Sequence, residues 1–244
     1  RKPGRNRSEE DMLELQHVVK SYGDKTALKD FSLKLDNGLF GLLGENGAGK
    51  STLIKILTCN LERDGGSILF DGKEICDMGR DYRALIGYLP QESVGYPRMR
   101  VGEFLEYIAA LKGLDYDRKQ LREIIYTALE QVHLDKEIHT HFGQLSGGMK
   151  RRLLFAQAVM GDPKILILDE ATSSIDAKTE KELQKGLQEL LKGRTSFIIA
   201  HRLSTIKNCD KIMFISNKGI TEAGTHDELM AKKGDYYKLC MAQK

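Results

Sequence analysis

From Leu39 to Lys55 the chain reads LFGLLGENGAGKSTLIK, an apolar strand, a glycine-rich turn and a helix start in one run. Gly44 to Ser51 satisfies GxxxxGK[ST], a spacing with a mechanical reason. Glycines reach backbone dihedrals closed to other residues and let amide N–H groups approach phosphate oxygens, while the helix that follows offers its positive dipole end. Gly44, Asn46, Gly47, Ala48 and Gly49 would form the cradle, with Lys50 on the outer phosphates. Ser51 and Thr52 stand at the helix start, Ser51 as a ligand for Mg²⁺. A plain strand–helix turn needs neither the lysine nor the hydroxyl, so the stretch reads as a nucleotide-phosphate binder and nothing narrower.

Four other places have chemistry available. ILILDE, residues 165–170, ends a fully apolar run in two carboxylates, at the end of a buried strand where open α/β sheets bind ligands. Asp169 would hold Mg²⁺ and Glu170 would polarise an attacking water, and an acidic pair closing a strand is the plainer reading. His201 follows the strand SFIIA, where it can reach a γ-phosphate or serve the structure alone. Gln91, just past Tyr88-Leu89-Pro90, offers an amide oxygen to a metal or only to solvent. Tyr22 in SYG has a ring able to stack on adenine, or to half-bury in a strand. His17, His133, His139, His141 and His226 show no comparable placement and are read as structural.

These residues must be held by strands and helices that the pattern also shows. Residues 1–11 are polar and charged throughout, which predicts a flexible lead without a signal-peptide core. Leu13 and Leu15, then Leu28, Phe31, Leu33 and Leu35, alternate as strands do and predict an antiparallel meander leading into the phosphate loop. The loop's helix should run from Ser51 to about Cys59, with strands at Ser67–Phe70 and Ala84–Leu89 after it. Between Val101 and Val132 the period turns helical, with Phe104, Ile108 and Leu111 on one face and Leu121, Ile125, Ala128, Leu129 and Val132 on another. Beyond that lie apolar strands at Ile165–Leu168, Ser196–Ala200 and Ile212–Ser216, a helix at Thr179–Leu191, and a turn at Asn217–Gly219. Continuous apolar strands separated by helices predict a parallel sheet covered on both faces.

Composition narrows the class further. Hydrophobic residues make up 41% and charged residues 30% of the 244, with a net charge of +3, which gives no support to a dedicated nucleic-acid surface. The longest apolar runs are strand-sized, far short of the roughly 20 residues of a membrane span. Cys59, Cys76, Cys209 and Cys240 lack metal-ligand spacing, so reduced thiols in a cytoplasmic setting are expected.

LSGGMKRR, residues 145–152, decides among phosphate-loop proteins. With it the chain resembles the ATP-binding cassette (ABC) family over nearly all of residues 12–244. The resemblance implies an α/β P-loop NTPase, RecA-like, with a mixed sheet core, an antiparallel β meander and an inserted helical subdomain. The core would comprise 12–91 and 154–244 and the helical subdomain 92–153. It places Tyr22 under the adenine, GENGAGKST as Walker A and Gln91 as the Q-loop residue. LSGG becomes the signature, ILILDE Walker B with the catalytic glutamate, Ser174-Ile175-Asp176 the D-loop and His201 the switch histidine. Two such domains pack head to tail in the family, so that Ser146, Gly147 and Gly148 of one copy close on ATP held by the other, with Asp176 bridging the pair. Implied are ATP and Mg²⁺, hydrolysis to ADP and phosphate, a second copy of the domain, a transmembrane permease partner and a place at the cytoplasmic face of a membrane. No nucleic acid is expected, the competing class being a soluble ABC ATPase acting on ribosomes or DNA. Lys150, Arg151 and Arg152 add positive potential at the interface between copies or, as the plainer reading, form a solvated helix face.

The two ends differ in style. Up to about Ala158 the chain is similar to separately encoded ATPase subunits of bacterial drug exporters, and from about Lys164 to ATPase domains fused to membrane spans in multidrug and lipid exporters. IHTHFGQ before the signature lacks the Gly-Glu-Arg of the fused type, which suggests a recombinant or engineered chimera.

Overall fold

The structure, a computed structural model, describes residues 12–91, 95–169, 191, 193–199 and 203–242. Its centre is a six-stranded sheet. Strands β3 (Gly38–Gly44), β6 (Ile86–Leu89), β7 (Ile165–Asp169), β8 (Thr195–Ile199) and β9 (Lys211–Ser216) run parallel, and β10 (Gly219–Gly224) closes one edge antiparallel, in the order β10-β9-β3-β8-β7-β6.

Consecutive side chains of these strands enter opposite cores, which is why their sequences are apolar without a break. Leu166 and Leu168 of β7 face one core with Ile198, Ile212 and Phe214, while Ile165 and Ile167 face the other with Phe197, Ile199, Met213 and Ile215.

The second core lies under an antiparallel sheet. β1 (Leu13–Tyr22) and β2 (Lys25–Leu35) form a hairpin in which Leu13 pairs with Leu35 and Leu15 with Leu33. The meander does not run on into β3; the sheet is completed by β4 (Gly65–Phe70) and β5 (Lys73–Glu74), from beyond the phosphate loop, in the order β2-β1-β4-β5. The three-residue step from Leu28 to Phe31 is a bulge: Asp30 takes φ 54°, His17 opposite takes φ 51°, and the two side chains meet at 2.6 Å. Both sheets bury α1 (Lys50–Leu57) through Leu53, Ile54, Ile56 and Leu57, which fixes the helix that carries the phosphate loop.

The first core lies under the helices α4 (Val101–Lys112), α5 (Arg118–Gln131) and α6 (Gly147–Val159). Asp117 caps α5 by accepting from Lys119 and Gln120, and Gly113 ends α4 in a left-handed turn. On α4 the buried stripe is Val101, Phe104, Leu105 and Ala109; Leu111, expected inside, is 63% exposed because the stripe follows Leu105 rather than Ile108. α6 is buried nearly all round from Leu153 to Val159 and presses against β6, where a side chain on Gly87 would stand 2.1 Å from the Ala158 oxygen. Before β6 come two short helices, α2 (Ile75–Met78) and α3 (Arg80–Ala84), so the strand starts at Ile86 and not Ala84.

Candidate functional site

The site is assembled at the carboxyl edge of the parallel strands. Leu42 of β3 pairs with Ile199 of β8, and Ile199 pairs with Asp169 of β7, so the three lie abreast. The phosphate loop leaves β3 just past Leu42, and Gln91 follows Leu89, which pairs with Leu168. Lys50, Asp169 and Gln91 therefore open on one edge, the place where α/β sheets receive ligands.

Two glycines of the loop are there because nothing else fits. Gly44, at φ 155°, would put a β-carbon 2.2 Å from the Ile215 oxygen, and Gly49, at φ 112°, would put one 2.5 Å from the Ala27 oxygen. Between them Gly47, at φ 78°, faces open space, which leaves the loop's outer side clear for a phosphate. Lys50 is only 7% exposed, and its ammonium donates to Gly44 O at 2.6 Å and Glu45 O at 2.9 Å, folding back across the turn it heads.

Tyr22, Asn46, Gly47, Gly49, Lys50, Ser51 and Thr52 line one cleft of about 380 Å³. Its rim adds two cations that the sequence reading passed over, Lys25 and Lys218. Lys218, in the left-handed turn between β9 and β10, donates its ammonium to Gly47 O at 2.6 Å, and its own oxygen accepts from the Lys29 amide at 2.9 Å. The Asn217–Gly219 turn was visible as a turn; its reach to the phosphate loop, 171 residues away in sequence, was not. Tyr22 is half-exposed at the cleft, with the Lys20 ammonium 5.9 Å from its ring centre.

Ser146 caps α6, its hydroxyl accepting from the Met149 amide at 3.2 Å, and a β-carbon on Gly147 or Gly148 would meet nothing within 4 Å. These three residues are not among those lining the phosphate cleft, so a single chain does not bring them to it.

Arg151 corrects the reading of KRR as a solvated face. It is 4% exposed and donates to Asp169 O at 2.9 Å, to Gln91 O at 3.1 Å and to Pro90 O. One guanidinium on α6 thereby ties together the ends of β6 and β7. Gln157, further along α6, donates to Tyr88 O at 2.6 Å. Burial pushes the Tyr88 phenol up, and the Asp169 carboxylate adds to it. Arg152 likewise turns inward, onto Val132 O at 2.9 Å, and Lys150 lies 5.6 Å from the Phe142 ring centre.

Glu170, Asp176 and His201 lie outside the described residues, as does all of the expected helix at 179–191 except Leu191. Among the described residues no three His, Cys, Asp or Glu side chains gather to hold a metal, and no helix is long and apolar enough to cross a membrane. Ser51, Gln91 and Asp169 bring a hydroxyl, an amide and a carboxylate, the hard oxygen donors that Mg²⁺ takes together with phosphate oxygens.

Comparison with known proteins agrees with this fold. The family described as ABC transporter matches residues 28–173. The chain is 34% identical over 247 residues to an ABC-type transporter MDR1 of Aureobasidium melanogenum, covering 96% of this chain and 18% of that protein. It is 37% identical over 255 residues to the uncharacterized ABC transporter ATP-binding protein YwjA of Bacillus subtilis, covering 95% of this chain and 41% of that one. A solved bacterial Atm1-family ABC exporter with ATP bound superposes with a TM-score of 0.85 at 28% identity, over 96% of this chain and 42% of that chain. The chain thus spans from about a fifth to about two fifths of the length of these relatives.

Proposed function

This chain belongs to the ABC transporter family, as an ATP-binding domain homologous to those of multidrug exporters, and on that premise we propose that it hydrolyses ATP to drive export through a membrane partner. Support comes from the alignment of Leu42, Ile199 and Asp169 across three neighbouring strands. At about 4.8 Å per strand it sets Asp169 about 10 Å from the strand that feeds the phosphate loop, a gap that a triphosphate with its cation spans.

In this reading the loop amides and Lys50 hold the β- and γ-phosphates, Lys25 and Lys218 add positive charge at the rim, and Tyr22 stacks on the adenine. Ser51, Gln91 and Asp169 would hold Mg²⁺, which when bound offsets the charge of the β- and γ-oxygens. Glu170 is the candidate general base and His201 the γ-phosphate contact, both inferred from sequence position. The exposed cap of α6 at Ser146–Gly148 is the surface that would close on ATP bound by a second copy, with Asp176 between the copies. The division into a core of 12–91 and 154–244 and a helical subdomain of 92–153 remains part of the proposal, as does a position at the cytoplasmic face of a membrane. The change of style near residue 160 is read as a mosaic within one working domain, since the full-length transporter of A. melanogenum aligns on both sides of it.

Glu170→Gln tests the catalytic assignment. ATP binding should persist, turnover should fall by orders of magnitude and an ATP-bound dimer should accumulate; near-normal turnover removes Glu170 from the base role.

A further inference from the structure

The turn between β9 and β10 carries a residue that its backbone does not favour. Ser216 pairs with Gly219, so Asn217 and Lys218 are the two residues of a tight hairpin turn, at φ 50° and 69°. Such a turn favours Asn-Gly, because glycine enters the left-handed region without strain. Here the second place holds a lysine, and the glycine comes one residue later. A residue held against its backbone preference is a pointer to function.

That side chain reaches the phosphate loop. Lys218 donates its ammonium to Gly47 O at 2.6 Å, while the Ala48 amide of the same peptide donates to Glu45 O at 3.1 Å. The peptide in the middle of the loop is therefore held at both polar ends. Gly44 packed against Ile215 O and Gly49 packed against Ala27 O fix the loop's ends, whereas a β-carbon on Gly47 would meet nothing within 4 Å. Lys218 supplies from outside what packing supplies at the ends. The turn that carries it is itself anchored, its main-chain oxygen accepting from the Lys29 amide of β2 at 2.9 Å. A loop pinned in this way meets a phosphate already shaped, and such preorganisation lowers the entropic cost of binding.

Its place in the sheet says which part of a nucleotide it meets. In the order β10-β9-β3-β8-β7-β6, Asp169 ends β7 two strands to one side of β3, and Lys218 follows β9, one strand to the other side. Lys218 lines the phosphate cleft together with Tyr22, the expected seat of adenine. Resting on the reading that this cleft holds ATP with its metal toward Asp169, we infer that Lys218 is a positioning residue for the α-phosphate end of the nucleotide. One N–H of its ammonium pins the loop through Gly47 O, and the others turn to an α-phosphate oxygen. ADP carries the same α-phosphate, so Lys218 serves both nucleotides alike. It contributes uniform binding, which acts on KM rather than on kcat.

The test is Lys218→Gly in the full chain, beside Lys218→Arg. Glycine suits φ 69°, so the thermal unfolding temperature should hold or rise, which separates loss of the ammonium from loss of the fold. Calorimetric titration with ATP and with ADP, each with Mg²⁺, should show both dissociation constants raised by about tenfold. KM for ATP hydrolysis should rise with them while kcat changes by less than about twofold, and Lys218→Arg should recover most of the affinity. Unchanged affinity in Lys218→Gly overturns the inference, as does a loss confined to ATP, or a lowered unfolding temperature with no rescue by arginine. An unaltered chain that binds neither nucleotide fails at the ATP reading itself and takes this inference with it.

Discussion

The guanidinium of Arg151 donates to the main-chain oxygen of Asp169 at 2.9 Å while also holding Gln91 O at 3.1 Å. A cation at the start of α6 thus fixes the backbone on which two expected Mg²⁺ ligands are mounted. Arg151→Met keeps the length of the stem and leaves part-buried carbonyls without their donor, so unfolding free energy should drop by about 1–3 kcal/mol. Turnover at saturating ATP should fall more than ATP affinity, because the cradle around Lys50 is untouched. Urea unfolding beside steady-state kinetics checks both halves.

The phosphate loop separates its glycines by what surrounds them. At Gly49 a methyl group would meet the Ala27 oxygen at 2.5 Å and a Leu28 methyl at 2.8 Å, whereas at Gly47 it would meet nothing within 4 Å. Gly49→Ala should therefore weaken ATP binding about tenfold or more and cost about 1–3 kcal/mol of stability. Gly47→Ala bears only the strain of its φ, about 1 kcal/mol. Titration with a fluorescent nucleotide, paired with thermal unfolding of both variants, discriminates them; equal stability losses would contradict the packing asymmetry.

What the sequence disclosed and withheld follows from the range of the forces involved. The strand–turn–helix around Gly44 and the double-faced apolar strands from Ile165, Ser196 and Ile212 were legible, because local spacing dictates them. Arg151 was misread, since a basic residue at a helix start usually meets water and α6 has no polar stripe to show which way it turns. Lys218 was overlooked because its contact with Gly47 spans 171 residues, and Leu111 was placed inside because a helical period alone does not say which of two adjacent stripes packs. β4 entered the antiparallel sheet beside β1 by pairing Leu15 with Ile68, a match made only once the chain has turned back past α1.

Lys112 supplies a pH dependence. Its ammonium crosses from α4 to the end of α6 and donates to Gln157 O, Ala158 O and Met160 O at 3.0, 3.2 and 3.1 Å, while burial lowers its pKa to about 8. The unfolded chain binds this proton more tightly, so between about pH 8 and the ordinary lysine range it holds more protons than the folded one, and stability gains with rising pH. The gain is at most about 1.4 kcal/mol per pH unit and flattens below pH 8, where both states are charged. Urea midpoints measured from pH 7 to 10 should show a steeper rise for the unaltered chain than for Lys112→Met; parallel curves would remove Lys112 as the source.

Ser146 separates the cap of α6 from its use. As a cap it accepts one hydrogen bond from the Met149 amide, and because the position is exposed, Ser146→Ala should cost only about 1 kcal/mol. Ser146→Phe keeps the fold for the same reason, since the side chain points away from both cores. Nothing it touches lines the cleft at Lys50, so affinity for ATP in the single chain should be unchanged. If the serine and the two glycines after it close on the phosphate of a second copy, the ring blocks that approach. Hydrolysis should fall below detection, and sedimentation of a Glu170→Gln, Ser146→Phe double variant with ATP should show monomers where Glu170→Gln alone gives dimers. Retained dimers, or hydrolysis by Ser146→Phe at the ordinary rate, would mean that ATP is turned over within one copy.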